Sequence, residues 1–320
     1  SSSYYNYNAV LYAWFGGNFD GQSYKIQNVN IESESFSVGL FGVTASAGIN
    51  NIIMYSDMDT EIKRSTPSNK QGGYNLGGLV GVAYMYASDT ASGNTISNCS
   101  VAGYKIIDAS TNQQTLGEAN VGGLIGATSV ALEKCSAVVD IEINCTHPNG
   151  YAYYGDYIRI GGLVGALSGK TSGSAAAGTY GTITDCYTGG SISVGKATLA
   201  ENRNVDGNTV TIDGQLLDSG GNVIENATDK QKACYRRVST NIFIAGIAGS
   251  GFTMNFINFS GGNGSSDTTP VINNSYTYVD FPKLTGSIRG ITTIASLADR
   301  YASTGYDVEL NNCYYLERSG

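Results

Sequence analysis

The strongest constraint on this chain is a short pattern that returns. LGGLVG at Leu76 to Gly81 recurs as VGGLIG at Val121 to Gly126, IGGLVG at Ile160 to Gly165 and IAGIAG at Ile244 to Gly249, after a shorter VGLFG at Val38 to Gly42. A phosphate-cradling loop occurs once in a domain, whereas a pattern that returns at intervals defines a repeat. With the glycine before the central apolar residue as marker, the copies fall at Gly39, Gly78, Gly123, Gly162, Gly246 and, in the degraded IRGITT, Gly290. The steps are 39, 45, 39, 84 and 44 residues. The 84-residue step is twice the usual one, so residues 195–240 hold either a degenerate copy or a large insertion.

A second element follows each marker after a variable gap: TISNCSVAGYKI, ALEKCSAVVDI, TITDCYTGGSISV, VINNSYTYVDF and VELNNCYYL. Kept elements joined by drifting gaps are the mark of a solenoid, in which rungs stack and loops vary. Within these elements the period is two. Val139, Ile141 and Ile143 alternate with Asp140, Glu142 and Asn144, as in a half-buried strand. Nothing between the short segments reads as helix, so βαβ units cannot cover the sheet faces. Stacked coils solve this: each strand pairs with its counterpart one coil along, about 4.8 Å away. The expected fold is all-β, a right-handed parallel β-helix of about seven coils, its hand following the usual crossover preference. A β-rich excursion is expected near residues 197–232, where IDG and DSGG signal turns. One domain spans 1–320, with an opening segment at 1–37, regular repeats at 38–194, the irregular stretch at 195–240 and further repeats at 241–320.

The pattern also assigns roles. Leu40, Leu79, Leu124, Leu163 and Ile247 follow the marker glycine and point into the core. Glycine beside them allows a tight corner, positive φ where needed, and close backbone approach. Four of the six cysteines, Cys99, Cys135, Cys186 and Cys313, share one position of the second element, while Cys145 and Cys234 stand outside it. A ladder of small buried free thiols is expected. Adjacent coils would also permit a bridge if the geometry allowed.

GGLVG followed by a loop and then I-x-N-C-Y with an alternating strand resembles the GLUG repeat of bacterial cell-surface proteins. That family includes adhesin-like proteins and the non-catalytic repeat region of some immunoglobulin A peptidases. FGGNFDGQSYKIQNVNI, Phe15 to Ile31, is similar to the segment that commonly opens such regions. The likeness covers residues 15–194 and 241–316; IAGIAG lacks the first glycine, and residues 195–240 match nothing. It implies an exported repeat domain at the bacterial cell surface and no particular ligand. The Met-less start SSSYYNYN reads as a mature or trimmed beginning, and NNCYYLERSG ends just after a repeat element, so signal and anchor are expected outside this sequence.

Charge narrows the partners. A net charge of −8 and a pI near 4.7 repel phosphate backbones and anionic membranes, so neither nucleic acid nor membrane insertion is expected. With 43 Gly, 23 Tyr and 14% charged residues, the surface is one of Ser, Thr, Asn and Tyr. The single histidine, His147 in CTHPNG, leaves His-based triads and HExxH zinc chemistry without their parts. LSGKTSG fails as a phosphate loop because Val164 stands where glycine is required. No cofactor, metal or catalytic residue is therefore assigned.

Many β-helices act on polysaccharides, so a lyase or glycosidase is the alternative. It needs convergent carboxylates on neighbouring coils. Asp57, Asp59 and Glu61 in YSDMDTEI would project from one strand face, as a cation site or simply a solvated edge. Glu201, Asp206, Asp213, Asp218 and Glu225, with Arg203, would line a cleft or merely solubilise the irregular segment. Binding has better material. Tyr4, Tyr5, Tyr7, Tyr12 and Trp14 cluster near the start, where Tyr12 and Trp14 also suit a capping role. Tyr151, Tyr153, Tyr154 and Tyr157 crowd GYAYYGDY, where a ligand platform and an ordinary polar loop fit equally. The expectation is a monomeric, non-catalytic, extracellular scaffold or adhesion domain that recognises carbohydrate or a host or bacterial surface protein. A passive stalk is the third reading.

Overall fold

The computed structural model describes residues 14–65, 74–84, 94–109, 118–143, 157–168, 181–194, 202–205, 208–211, 216–217, 222–224, 241–252, 270–284, 291–292 and 308–316. Among these the chain is all-β, without helix. All but three of its strands fall into four parallel sheets that the chain visits in a fixed order. The first sheet stacks Ser37–Val38, Tyr74–Gly77, Glu118–Gly122, Tyr157–Gly161, Asn241–Ala245 and Ile291–Thr292. The second runs from Trp14–Phe15 through Phe41–Ala45, Val80–Tyr84, Ile125–Thr128 and Val164–Ser168 to Ala248–Phe252. The third has seven strands, from Asn18–Asp20 to Glu309–Asn311, and the fourth nine, from Lys25–Gln27 to Tyr314–Tyr315.

The register stacks like on like. Leu76, Val121, Ile160 and Ile244 form one column of the first sheet. Ile49, Ile96, Leu132, Ile183 and Ile272 form another in the third, and Ile62, Ile106, Ile141 and Ile192 a third in the fourth. All are buried and belong to one apolar cluster fed by all four sheets. Each such side chain contributes about 1.5–3 kcal/mol through burial. Leu79, Leu124, Leu163 and Ile247 join this core as the repeat predicts, with Leu40 packed partly buried against it.

The repeat glycines turn out to serve backbone contact rather than positive φ. A Cβ on Gly77, Gly122 or Gly161 would lie 2.0–2.2 Å from the carbonyl oxygen three residues ahead, on Val80, Ile125 or Val164. The middle glycines meet the next coil: Gly78 the oxygen of Gly123 at 2.5 Å, and Gly123 that of Gly162 at 2.2 Å. The last glycines meet the preceding coil's first-sheet strand, Gly126 at 2.6 Å from the Leu76 nitrogen and Gly165 at 2.4 Å from that of Val121. Three glycines thus fill three different backbone contacts, within the coil and on either side of it. The positive φ expected at these corners is absent; among the described glycines it occurs at Gly103, Gly181 and Gly190.

The left-handed corner lies elsewhere in the coil. Between the third and fourth sheets stand Asn51, Asn98, Lys134, Asp185, Asn274 and Asn312, with φ of 47–56°. Asn and Asp tolerate this conformation through local hydrogen bonding, and lysine has no such compensation. Lys134→Asn is therefore expected to stabilise the chain by about 0.5–1 kcal/mol, part of the ordinary left-handed penalty. Thermal denaturation checks this, and an unchanged or lower midpoint would contradict it.

The residue after this corner is the cysteine. Cys99, Cys135, Cys186 and Cys313 are free thiols, the first three buried, with Ser275 in the same column. Each thiol faces the carbonyl two residues back at 3.2–3.4 Å, and the Ser275 hydroxyl donates to Asn273 O at 2.7 Å. Burial, with the flanking thiols second, pushes the Cys135 thiol well above its usual range. A hydrogen bond with Cys135 lowers that of Cys99 against the opposing effect of burial. Alkylation of the folded chain, read by peptide mass spectrometry, is expected to modify half-buried Cys313 first among these four thiols. Cys99, Cys135 and Cys186 should react only after denaturation.

The 84-residue step is a single coil boundary. Tyr157–Gly161 pairs directly with Asn241–Ala245, residue for residue. Between them, Asn202–Val205, Asn208–Thr211 and Leu216–Leu217 form a separate antiparallel sheet.

Candidate binding face

The outer side of the fourth sheet changes character along the stack. In the column just past the thiol, Ile53, Ser100 and Ser136 give way to Tyr187, Tyr276 and Tyr314 on successive coils. These tyrosines are 37%, 40% and 61% exposed. Tyr187 and Tyr276 stack with centroids 5.3 Å apart and planes within 8° of parallel. Beside them Tyr278 lies over Gly189, its ring carbons 2.2 Å from where a Cβ there would sit. Glycine at 189 thus makes room for a ring that crosses the sheet.

Along the edge of this aromatic surface runs an amide ladder, made by the left-handed corner. The Asn274 amide donates to Asp185 Oδ1 at 3.2 Å, and the Asn312 amide to Asn274 Oδ1 at 2.9 Å. Asn311 donates to Asn273 Oδ1 at 3.1 Å and to Glu309 Oε1 at 3.0 Å, while the Tyr314 hydroxyl donates to Asn312 Oδ1 at 2.5 Å. Each amide spends part of its capacity on the ladder and keeps further donors and acceptors toward solvent. One coil earlier the corner carries Lys134, 3.2 Å from Glu133.

The signal for this face lies in the repeat itself. Cys186-Tyr187, Ser275-Tyr276 and Cys313-Tyr314 align in the second element, but the tyrosines become one continuous surface only when strands stack in register. The tyrosines singled out from the sequence are placed differently. Tyr151, Tyr153 and Tyr154 lie outside the described residues, as do Tyr4, Tyr5, Tyr7, Tyr12, His147, Cys145 and Cys234. Tyr157 opens a first-sheet strand, its backbone between Glu118 and Asn241. Trp14 is 42% exposed at the edge of the second sheet, in register with Val43.

The acidic residues do not share one regular strand face. Tyr55 pairs with Ala102 and Thr60 with Tyr104, so residues 56–59 bulge opposite Gly103, whose φ is +76°. A Cβ on Gly103 would meet Ser56 O at 2.0 Å. Asp57 accepts from the Asn28 amide at 3.1 Å, Asp59 pairs with Lys105 at 2.6 Å, and Glu61 returns to the ladder opposite Lys105. Asp140 follows Lys105 on the next coil and accepts from the Ser191 hydroxyl at 2.7 Å. Hydrogen bonding to Asp59 raises the Lys105 pKa, and the charges of Asp59, Glu142 and Glu61 add to it. Among the described residues no group of three or more His, Cys, Asp or Glu is placed to hold a metal ion. Of the irregular-segment residues, Arg203 lies on an antiparallel strand opposite Val210; Glu201, Asp206, Asp213, Asp218 and Glu225 lie outside the described set.

Comparison with models of protein families, with curated proteins and with solved structures finds no match to this chain.

Proposed function

We propose that the four parallel sheets close into one right-handed β-helix of about seven coils. On this reading the chain is a monomeric, non-catalytic scaffold or adhesion domain exposed on a bacterial surface, recognising carbohydrate or host protein. The fixed order of sheets and the large apolar core fed by all of them support closure. The observation that carries adhesion is the outer face of the fourth sheet, where three successive coils fill one column with exposed tyrosine. A surface of that kind needs no moving parts, which suits a rigid stack of coils.

The polysaccharide-active alternative draws on the carboxylates around Lys105, which stand on neighbouring coils. There the lysine is held in its charged form by Asp59, so it acts as a bridging cation rather than a proton acceptor. The test is binding of the labelled chain to mucin, matrix proteins and immobilised polysaccharides, with release of reducing or unsaturated ends followed in parallel. Saturable binding without release is the expected result. Turnover of a polysaccharide would put the enzyme ahead, and silence on every surface would leave a passive stalk.

A further inference from the structure

The geometry points to a neutral, linear glycan, lying along the stack of coils on the tyrosine face, as the ligand of this chain. The inference rests on the adhesion reading and names its site and ligand class.

The first argument is that the fold does not require these rings. Ser136 and Ser100 occupy the same column one and two coils before Tyr187, in the same register and between the same sheets. Tyr187, Tyr276 and Tyr314 are therefore additions to the outer face rather than parts of the core. Gly189 departs from its column in the same coil, where Ala102 and Val138 precede it, and so admits Tyr278. Two columns thus change together, and both changes build aromatic surface.

The second argument is chemical. Flat amphipathic rings beside partly used amides are suited to sugars, whose faces carry C–H groups and whose edges carry hydroxyls that both donate and accept. The Asn274 and Asn312 amides, continued by the accepting carboxylate of Asp185, form such an edge along the rings. Charge decides the class of glycan. The corner and the position before it carry Asp185 and Glu133 against Lys134, which Glu133 already engages, and Glu309 adds a further carboxylate on the adjoining third-sheet strand. Sulfated or uronic chains would meet repulsion, and neutral chains would not.

The third argument is spacing. Coils repeat about every 4.8 Å, and the stacked rings sit 5.3 Å apart. That interval is close to the advance per residue of an extended hexopyranose chain, so equivalent groups on successive coils face equivalent groups on successive sugars. A polymer running parallel to the stack gains one such set of contacts per coil, as linked sites gain avidity.

The experiment is affinity electrophoresis and titration calorimetry of the whole chain with mixed-linkage β-glucan, xyloglucan and galactomannan, against heparin and polygalacturonate. Mucin and matrix proteins form a separate arm. The test variant is Tyr187→Ser with Tyr276→Ser, which copies the preceding coils. Binding of a neutral glycan, weakened about tenfold or more in the variant at unchanged circular dichroism, is the expected result. Should that variant lose its fold, Asn274→Gly with Asn312→Gly, which removes the amides and keeps the left-handed corner, makes the same test. Undiminished neutral-glycan binding in a folded variant overturns the site while leaving adhesion standing. Binding confined to the anionic polymers overturns the ligand class. No glycan binding at all overturns the inference, and the mucin and matrix-protein arm then decides the adhesion reading by itself.

Discussion

Gly122→Ala is expected to destabilise the chain by more than about 4 kcal/mol, in the exceptional range for one methyl group. The added carbon would lie 2.0 Å from Ile125 O and 2.8 Å from Gly165 N, both of them backbone. Neither can swing aside as a side chain would, so two sheets must separate in this coil and the next. Gly16→Ala is the control: its Cβ would lie 3.5 Å from Ala45 O, an ordinary contact, and the expected change is within about 0.5 kcal/mol. In stacked repeats the damage should be regional, because each coil contacts only its neighbours. Hydrogen exchange should therefore accelerate around residues 74–84, 118–128 and 157–168 before the rest. The chain accepts Ala245 in this column. There Ala248 stands three residues ahead as Ile125 does for Gly122, but the second sheet ends among the described residues, so the strand is free to give where Gly165 would otherwise hold it. A folded Gly122→Ala chain of normal stability would refute the close-approach account of the repeat.

The second large effect concerns charge inside the core. Arg64 and Asp108 are register neighbours in the fourth sheet and fully buried. The Tyr74 hydroxyl donates to Asp108 Oδ2, the Arg64 guanidinium lies 4.0 Å from the centre of the Tyr74 ring, and Arg64 Nε donates to Ser35 O at 3.3 Å. The next coil fills this column with Ile143. Asp108→Ala removes the carboxylate beside a buried guanidinium, and a loss of about 3–5 kcal/mol is expected. The paired change Arg64→Leu with Asp108→Ile should cost far less than either charge removed singly, since it extends the apolar column of the following coil. Chemical denaturation of both single variants and the pair completes the cycle. Additive losses would show that the two charges do not act together.

Much of this architecture was legible because a repeat reports its own register. Leu79, Leu124 and Leu163 could be placed in the core from spacing alone, and so could the alternation of Val139, Ile141 and Ile143. The shared position of the cysteines likewise announced a column. Other features had no local signal. The burial of Arg64 and Asp108 carries no mark in the sequence, because an alternating strand does not reveal which charge is turned inward. Asp57 and Asp59 read as one strand face, because a four-residue bulge is visible only when the neighbouring coil skips it. The tyrosine face was in the aligned second elements but was outweighed by GYAYYGDY, where four tyrosines crowd in sequence. Crowding along the chain measures local composition, whereas a ladder joins residues 38–89 positions apart.

The sequence by itself determined the rung: which residues are small, which are apolar, where the strand alternates and how often the unit returns. Those properties follow from backbone sterics and burial, which act on each residue where it stands. Tertiary structure alone decided what each rung meets. It put three glycines against three different backbones, made Tyr157–Gly161 and Asn241–Ala245 neighbours across a long insertion, and aligned Tyr187, Tyr276 and Tyr314 into one face. The reason is that pairing between coils depends on gap lengths that the rung does not encode, and every column on the outer surface is a product of that pairing.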